Sequence, residues 1–462
     1  MTASGEALTV DVLVIGWGKG GKTLAAALAG DGQKVAMIEQ FETMHGGTCI
    51  NIGCVPTKAL VHDAQERRED DDAAAYWARA VGRRDTLIGK LRDVNHHMLA
   101  DLDTVTLIDG RARFVAERTV EVAGGEDRLT VTAPAVVVNT GAVPVRPDLP
   151  GIDSPHVHDS TSIQHADPFP QRLAVVGAGP VGLEFASMFA GFGAEVTVLN
   201  RGPQLLRGEE PEVVAALEDV LEGDGITVLH EASVQAVEEG PVVVASVAGT
   251  ERRFEVDAVL LATGRRPATE GLGLEAAGID VDGHGAIVVD EHLRTSAHGV
   301  FAIGDVHGGA QQTYLSLDDH RIVLSQLTED GSRSTADRVA VPTTTFVTPP
   351  LSAVGLTEAE AREAGHEVLV AVQEVAAIKA MPRPKTLGDA RGIVKLVVDA
   401  ATDELLGARL FHVDSQEVVN LLALAMRTGT TATQLRDGIW THPSSTEALN
   451  ETLGMLGAPE RA

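Results

Sequence analysis

Residues 10–39 read VDVLVIGWGKGGKTLAAALAGDGQKVAMIE, and residues 172–200 repeat the same order as RLAVVGAGPVGLEFASMFAGFGAEVTVLN. Each stretch is an apolar run, a glycine-rich turn, a segment of small and apolar residues, and a second apolar run, which predicts strand, loop, helix, strand. Gly16, Gly18 and Gly21 fit GxGxxG in the first copy; Gly177, Gly179 and Gly182 fit it in the second. From the last glycine to the end of the next strand is 39 − 21 = 18 residues in one copy and 200 − 182 = 18 in the other. One GxGxxG is weak evidence, whereas two in register predict an α/β chain with two Rossmann-like dinucleotide-binding domains. The glycines let the backbone approach a pyrophosphate, and the N-terminus of the following helix offers it N–H groups and a partial positive charge.

The residues closing the second strands differ. Glu39 can accept a hydrogen bond from an adenosine ribose hydroxyl. Asn200 carries no charge, and Arg201 follows at once with Arg207 close behind, a set that suits a 2′-phosphate. The expectation is NADPH at the second site, with NADH possible; the blander reading leaves both arginines solvated. Residues 16–23 also satisfy the Walker pattern GxxxxGK[ST], which would set Lys22 and Thr23 against phosphate and magnesium. The overlapping GxGxxG, Glu39 in its place and a second copy lacking GKT weigh against a nucleotide triphosphatase. Lys22 and Thr23 are then expected to be ordinary first-turn residues.

The 462-residue chain has only two cysteines, Cys49 and Cys54, both within GGTCINIGCVPTK at 46–58. Five positions along an ideal helix rise about 7.5 Å, whereas a disulfide needs Cα atoms roughly 4.4–6.8 Å apart. Bridging the two would require a distorted helix start, for which Gly46, Gly47 and Gly53 supply backbone freedom and Pro56 a fixed φ. A ring so short and strained should be easily reduced. As a structural staple it would gain little entropy. As a metal site it would need two more ligands, with His45 and His62 the candidates. Redox chemistry is the stronger expectation.

Hydrophobic residues make up 44% of the chain, enough for large cores, and the formal net charge of −29 argues against nucleic acid or an anionic membrane as partner. The first eighteen residues hold Glu6 and Asp11 and no Lys or Arg, unlike a secretory signal. The longest apolar candidate for a membrane span is cut by Glu184. A cytoplasmic protein is expected, and there a lone cysteine pair is more often catalytic than structural.

A CxxxxC pair after one nucleotide motif, with a second motif downstream, resembles the FAD-dependent pyridine nucleotide-disulfide oxidoreductases. The similarity runs nearly end to end, through VVVNTGAVP at 136–144, LLATGRRP at 260–267, GVFAIGD at 299–305 and THPSSTE at 441–447. Within the family, residues 46–65 and QTYLSLDDHRIV at 312–323 are most similar to a bacterial group tied to reactive-chlorine resistance, and through it to reduction of hypothiocyanous acid and copper(II).

The resemblance implies an FAD domain in residues 1–150, an NAD(P) domain in 151–270, a return to the FAD side in 271–335 and a dimerisation domain in 336–462. The loop-like stretches VRPDLPG, RPATEGLG and GSRSTADR fall near those seams. The last segment reads as strands at 367–376, 392–398 and 405–411 followed by helices at 417–429 and around Ala448, an α+β module. It implies a homodimer with active sites shared between subunits.

Residue by residue, the resemblance makes Cys54 the thiol facing the flavin and Cys49 the one that meets substrate. Lys58 and Glu184 match an ion pair near the flavin, and Asp305 the acid that binds the FAD ribityl chain. Thr48, Thr140, Gly141 and Gly264 fall at cofactor-binding positions. His442 and Glu447 match an acid–base pair contributed by the partner subunit, although Ser444 and Glu447 also fit an S-x-x-E capping box. Pro180 stands where glutathione-type reductases carry a gating tyrosine. The lack of further cysteines removes the additional redox pairs of mercuric reductases and large thioredoxin reductases. The implied activity passes electrons from NAD(P)H through FAD and the Cys49–Cys54 pair to a small oxidant, with hypothiocyanous acid expected first. The alternatives are copper(II) or another metal ion, dihydrolipoamide, or a disulfide.

Overall fold

The two glycine-rich repeats become two parallel sheets of the same plan. In the computed structural model, which describes residues 6–124, 127–328 and 330–456, the first sheet runs in the order Val300–Ala302, Ala135–Val138, Val12–Ile15, Val35–Glu39, Val105–Asp109. The second runs Val157–His158, Ala258–Leu261, Arg172–Val176, Glu195–Leu199, Thr227–Leu229. All neighbours in both are parallel. In each, the strand ahead of the glycine turn is central. The helices include α1 (Lys19–Gly30), α2 (Thr48–Asn51), α3 (Cys54–Glu66), α4 (Ala73–Ala100), α5 (Pro180–Gly191), α6 (Pro211–Gly223), α7 (Thr313–Thr328), α8 (Ser415–Thr428) and α9 (Ala448–Thr452).

The central strands are unbroken apolar runs because both faces of the sheet are covered. Val12 and Val14 pack with Leu24 and Leu28 of α1, while Leu13 and Ile15 face Phe114 and Val131 of an antiparallel meander. The tight turns then follow from how closely the strands end. Gly16 has φ +96°, and a Cβ there would lie 2.4 Å from the Asn139 carbonyl oxygen. Gly177 has φ +106°, and its Cβ would lie 2.5 Å from the Ala262 carbonyl oxygen. Asn139 and Ala262 follow equivalent neighbouring strands, so the repeat is one steric solution used twice.

Residues beyond 338 form a five-stranded antiparallel sheet in the order Thr343–Thr345, Leu351–Gly355, Leu405–Phe411, Ile393–Asp399, Val368–Glu374. Val394, Leu396 and Leu410 pack there against Val419 and Leu422 of α8, so the strands and helices read from the sequence appear close to their expected bounds.

By contacts the chain forms two compact units: residues 1–60, 78–145 and 264–337 in one, and 61–77, 146–263 and 338–462 in the other. Residues 61–77, inside the 1–150 segment implied by the resemblance, thus group with the second unit. Trp77 is the anchor, its Nε1 donating to the Ala166 carbonyl at 2.9 Å and its ring meeting Phe192 edge-on at 5.0 Å. Among the described residues no helix is long and apolar enough to cross a membrane.

Candidate active site

The helix start around the cysteines is broken, as the geometry of the pair requires. Cys49 lies in α2, which stops at Ile52 with φ −139°; the Gly53 N–H reaches back to the Thr48 carbonyl at 2.7 Å, and the chain restarts as α3 at Cys54. The Thr57 hydroxyl secures the restart by donating to the Gly53 carbonyl at 2.8 Å. Both cysteines are thiols, hydrogen-bonded to each other. Cys54 Sγ lies 3.6 Å from Thr313 Oγ1 at the first residue of α7, and the same hydroxyl bonds to Cys49.

The Cys49 thiol is pushed well up, first by its hydrogen bond to Cys54, then by burial and by charge on Cys54. Thr313 and Lys22 pull it the other way. Two thiolates this close repel, so the pair titrates as a unit carrying one negative charge before a second. Cys54, exposed at the N-terminus of a thirteen-residue helix, occupies the end where negative charge is stabilised. The neighbouring Tyr314 phenol is pushed up to about 12 by burial and then by charge on Cys54.

Lys22 departs from the expectation of an ordinary first-turn residue. It is 3% exposed, and its Nζ donates to the Gly46 carbonyl at 2.9 Å and to Asn95 Oδ1 of α4 at 2.5 Å. Burial, and then the charge of Lys19, lowers its pKa to about 8, opposed by Cys49. Its direction is toward the cysteine loop. Thr23 does behave as expected, its hydroxyl donating to the Lys19 carbonyl at 2.7 Å.

At the first glycine loop, Glu39 Oε2 accepts from the Trp17 N–H at 3.0 Å and Oε1 from the Gln40 N–H at 2.8 Å. Burial pushes this carboxyl up, and those N–H groups pull it back. A carboxylate has about four acceptor sites, so capacity remains for a ribose hydroxyl. Asp305 is likewise raised by burial, with Arg265 and His307 opposing. Thr140 Oγ1 donates to the Ala268 carbonyl at 2.9 Å, and beside it a Cβ on Gly141 would meet nothing within 4 Å. Helix α1 follows Gly18, which offers no side-chain cap; the Gly20 and Gly21 N–H groups donate to Ser316 Oγ at 3.1 Å and Asn139 Oδ1 at 2.9 Å, and the helix end ahead of them is left to a ligand. These residues fit FAD: the end of α1 for the diphosphate and half-buried carboxyls for ribose and ribityl hydroxyls.

The second loop has the same opening. Helix α5 starts at Gly179 without a side-chain cap, with Pro180 in its first turn, and a Cβ on Gly179 would meet nothing within 4 Å, as at Gly264 in the first unit. Gly182, by contrast, is packed, its Cβ position being 2.0 Å from the Gly177 carbonyl oxygen. Asn200 does more than vacate a charge. Its amide nitrogen donates to the Gly202 and Gln204 carbonyls at 3.1 and 2.8 Å, bracing the loop that carries the exposed Arg201.

Glu184 Oε1 accepts from the Phe346 N–H at 2.8 Å in the second unit, and Lys58 Nζ lies 3.5 Å from Thr57 Oγ1 in the first. His442 Nδ1 and Glu447 Oε1 are 2.9 Å apart, with the His442 side chain 72% exposed. Burial would raise Glu447, yet the bonds from His442 and the Ser444 N–H hold it below the usual range. The capping box is only half formed: Glu447 Oε2 accepts from the Ser444 N–H at 2.8 Å, but Ser444 Oγ has no partner and α9 begins at Ala448. His45, a candidate metal ligand, instead stacks on Trp17 at 4.3 Å and bonds Asp109 at 2.9 Å, while His62 is exposed. Among the described residues no group of three or more His, Cys, Asp or Glu is placed to hold a metal ion.

Thr313 and Asn139 were missed by sequence reasoning. Asn139 Oδ1 accepts from the Gly21 N–H at 2.9 Å and its Nδ2 donates to the Ile303 carbonyl at 2.8 Å. An asparagine closing the apolar run at 136–138 was the available signal.

Comparison with known proteins gives a consistent picture. Residues 10–319 match the profile of the pyridine nucleotide-disulphide oxidoreductases, and residues 341–453 that of the family's dimerisation domain. The probable pyridine nucleotide-disulfide oxidoreductase RclA of Escherichia coli K12 is 43% identical over 445 residues, 96% of this chain and 98% of the relative. A mercuric reductase of Staphylococcus aureus is 33% identical over 95% of this chain and 81% of its own. Among solved structures, the copper(II) complex of the HOCl-induced flavoprotein disulfide reductase RclA from Escherichia coli has a TM-score of 0.92 at 42% identity, covering 97% of this chain and all (100%) of that one.

Proposed function

The chain belongs to the pyridine nucleotide-disulphide oxidoreductase family, and on that premise we propose that this flavoprotein disulfide reductase uses NADPH to reduce a small sulfur-centred oxidant, hypothiocyanous acid first. The observation that carries the reading is the Cys49–Cys54 dithiol, hydrogen-bonded together and to Thr313, in a chain with no other cysteine. A small electrophile asks only for one attacking thiolate, one resolving thiol and a proton donor.

When bound, FAD supplies two-electron transfer between the nicotinamide and the cysteine pair. Glu39, Asp305, Thr140 and the α1 N-terminus would hold that cofactor, and Arg201, on the loop braced by Asn200, would pair with the 2′-phosphate of NADPH. In the reduced pair, the Cys49 thiolate attacks the sulfur of hypothiocyanous acid, forming a Cys49 sulfenyl thiocyanate and releasing hydroxide. The Cys54 thiolate then displaces thiocyanate and forms the disulfide. The balance is NADPH plus hypothiocyanous acid to NADP+, thiocyanate and water. His442, held through Nδ1 by Glu447 and contributed by the partner subunit of a homodimer, supplies or takes the proton at sulfur. Residues 1–150 and 271–335 serve the flavin, 151–270 the nicotinamide nucleotide and 336–462 the dimer.

Copper(II) reduction is the second reading, favoured by the copper(II) complex of the Escherichia coli relative. Steady-state NADPH oxidation with hypothiocyanous acid, copper(II), glutathione disulfide and lipoamide side by side tests both. Hypothiocyanous acid should be consumed fastest; rapid turnover of glutathione disulfide or lipoamide without it would reject the assignment.

A further inference from the structure

Lys22 is a buried cation that neither the dinucleotide loop nor the thiol exchange has yet used. Its two acceptors, the Gly46 carbonyl and Asn95 Oδ1, are neutral; among the described residues no carboxylate bonds to it. A lysine 3% exposed and without an anion is costly to keep charged. It also grips the cysteine loop at a point with no slack. A Cβ on Gly47 would lie 2.6 Å from the Trp17 carbonyl oxygen, and one on Gly46 would lie 3.2 Å from Asn95 Cβ. The glycine pair is therefore clamped between the nucleotide loop and α4, and three residues after Gly46 comes Cys49. The groups acting on that thiol are Lys22 of α1, Cys54 of α3 and Thr313 of α7; behind them, Lys19 acts on Lys22, Tyr314 responds to charge on Cys54, and Arg92 of α4 donates to Asn51 Oδ1 at 2.9 Å. Of these, Cys54 is the one whose charge opposes a Cys49 thiolate, and Lys22 opposes that effect.

We propose that Lys22 is a positioning residue for thiol exchange: its ammonium pins the Gly46 carbonyl and supplies the buried positive charge against which Cys49 ionises. The anion it lacks beside the protonated thiol is the one formed transiently at Cys49. The proposal rests on the reading that Cys49 is the attacking thiol, and it gives the lysine of the Walker-like GKT a role that is not phosphate binding.

The test uses flavin-loaded Cys54→Ser protein, in which Cys49 is the sole cysteine, and follows its alkylation by iodoacetamide from pH 6 to 10 by mass spectrometry. Lys22→Met should slow alkylation at pH 7 about tenfold and move the profile to higher pH, as expected for about one pKa unit; Lys22→Arg should restore most of the rate. Asn95→Asp, which gives Lys22 a permanent anion, should also slow the reaction and covers the case in which Lys22→Met does not fold. Parental profiles in the folded variants would overturn the proposal. Because alkylation needs neither NADPH nor oxidant, a Lys22-dependent profile in an enzyme that ignores hypothiocyanous acid would uphold this inference while rejecting the proposed substrate.

Discussion

Among the described residues two lysines are almost fully buried, Lys22 at 3% and Lys395 at 1% exposure, and they are treated in opposite ways. Lys395 Nζ meets Glu210 at 2.9 Å, Glu212 at 3.1 Å and Glu358 at 2.8 Å. Burial alone would lower it, but those carboxylates carry it above the ordinary lysine value. Within the second unit it fastens the start of α6 to the C-terminal sheet, while Arg391 fastens the far end through Asp224 at 2.6 Å. Lys22 has only neutral acceptors and is lowered to about 8. A buried charge with permanent partners ties elements together; one without them is free to answer a charge that appears during chemistry.

The comparison is broken most severely if the two regions fail to separate. His442→Ala should slow the oxidant half-reaction about 10²–10⁴-fold, leaving thermal stability and reduction of the flavin by NADPH near parental values in stopped flow. Slow flavin reduction in that variant would place His442 outside the thiol exchange. Lys395→Met should do the reverse. Stranding the buried Glu210 should cost about 3–5 kcal/mol of stability, read by denaturant unfolding of the holoenzyme at pH 7, while Cys49 alkylation is unchanged.

A subtler contrast lies in pH. For Lys22 the folded value is about 8 against 10.5 for the free side chain, so between these the unfolded state binds more protons and stability rises with pH. The burden below pH 8 is about 3 kcal/mol, partly offset by the two hydrogen bonds. Lys22→Met should therefore be at least as stable as the parent at pH 7, with the parent gaining on it as pH approaches 10. Lys395, raised in the fold, has the opposite sign: its contribution is full below 10.5 and is lost as pH passes its folded value. Parallel Tm-against-pH curves for parent and Lys22→Met would show that Lys22 is not a depressed base. The smallest effect concerns the nicotinamide nucleotide: Arg201→Ala with Asn200→Glu should invert a preference for NADPH over NADH, measured as a ratio of kcat/KM. A parent enzyme indifferent to the two would remove the basis for that prediction.

What the sequence made legible was local. The glycine spacing led to both sheets because strand, turn and helix follow one another in the chain, and the five-residue cysteine spacing foretold the break at Ile52 and Gly53 because it is a matter of rise per residue. His442 and Glu447, five positions apart, also meet. Lys22 was misread because its burial depends on Asn95, 73 residues away, on a helix whose many polar residues give little warning that one face is covered. Thr313 stands 259 residues from Cys54, and no periodicity connects them. The regrouping of residues 61–77 depends on Trp77 finding Ala166 and Phe192, again a long-range event.

Asn139 has a consequence for anyone who would rebuild this protein piece by piece. A Cβ on Gly18 would fall 2.3 Å from its Oδ1, one on Gly21 2.8 Å from the same atom, and one on Gly304 2.9 Å from its Nδ2. One amide thus interlocks the loop after the first strand with the loop that carries Asp305. Grafting either loop from a relative whose residue at 139 has another shape would jam the other, so these positions form a single inheritable part, exchangeable together or not at all.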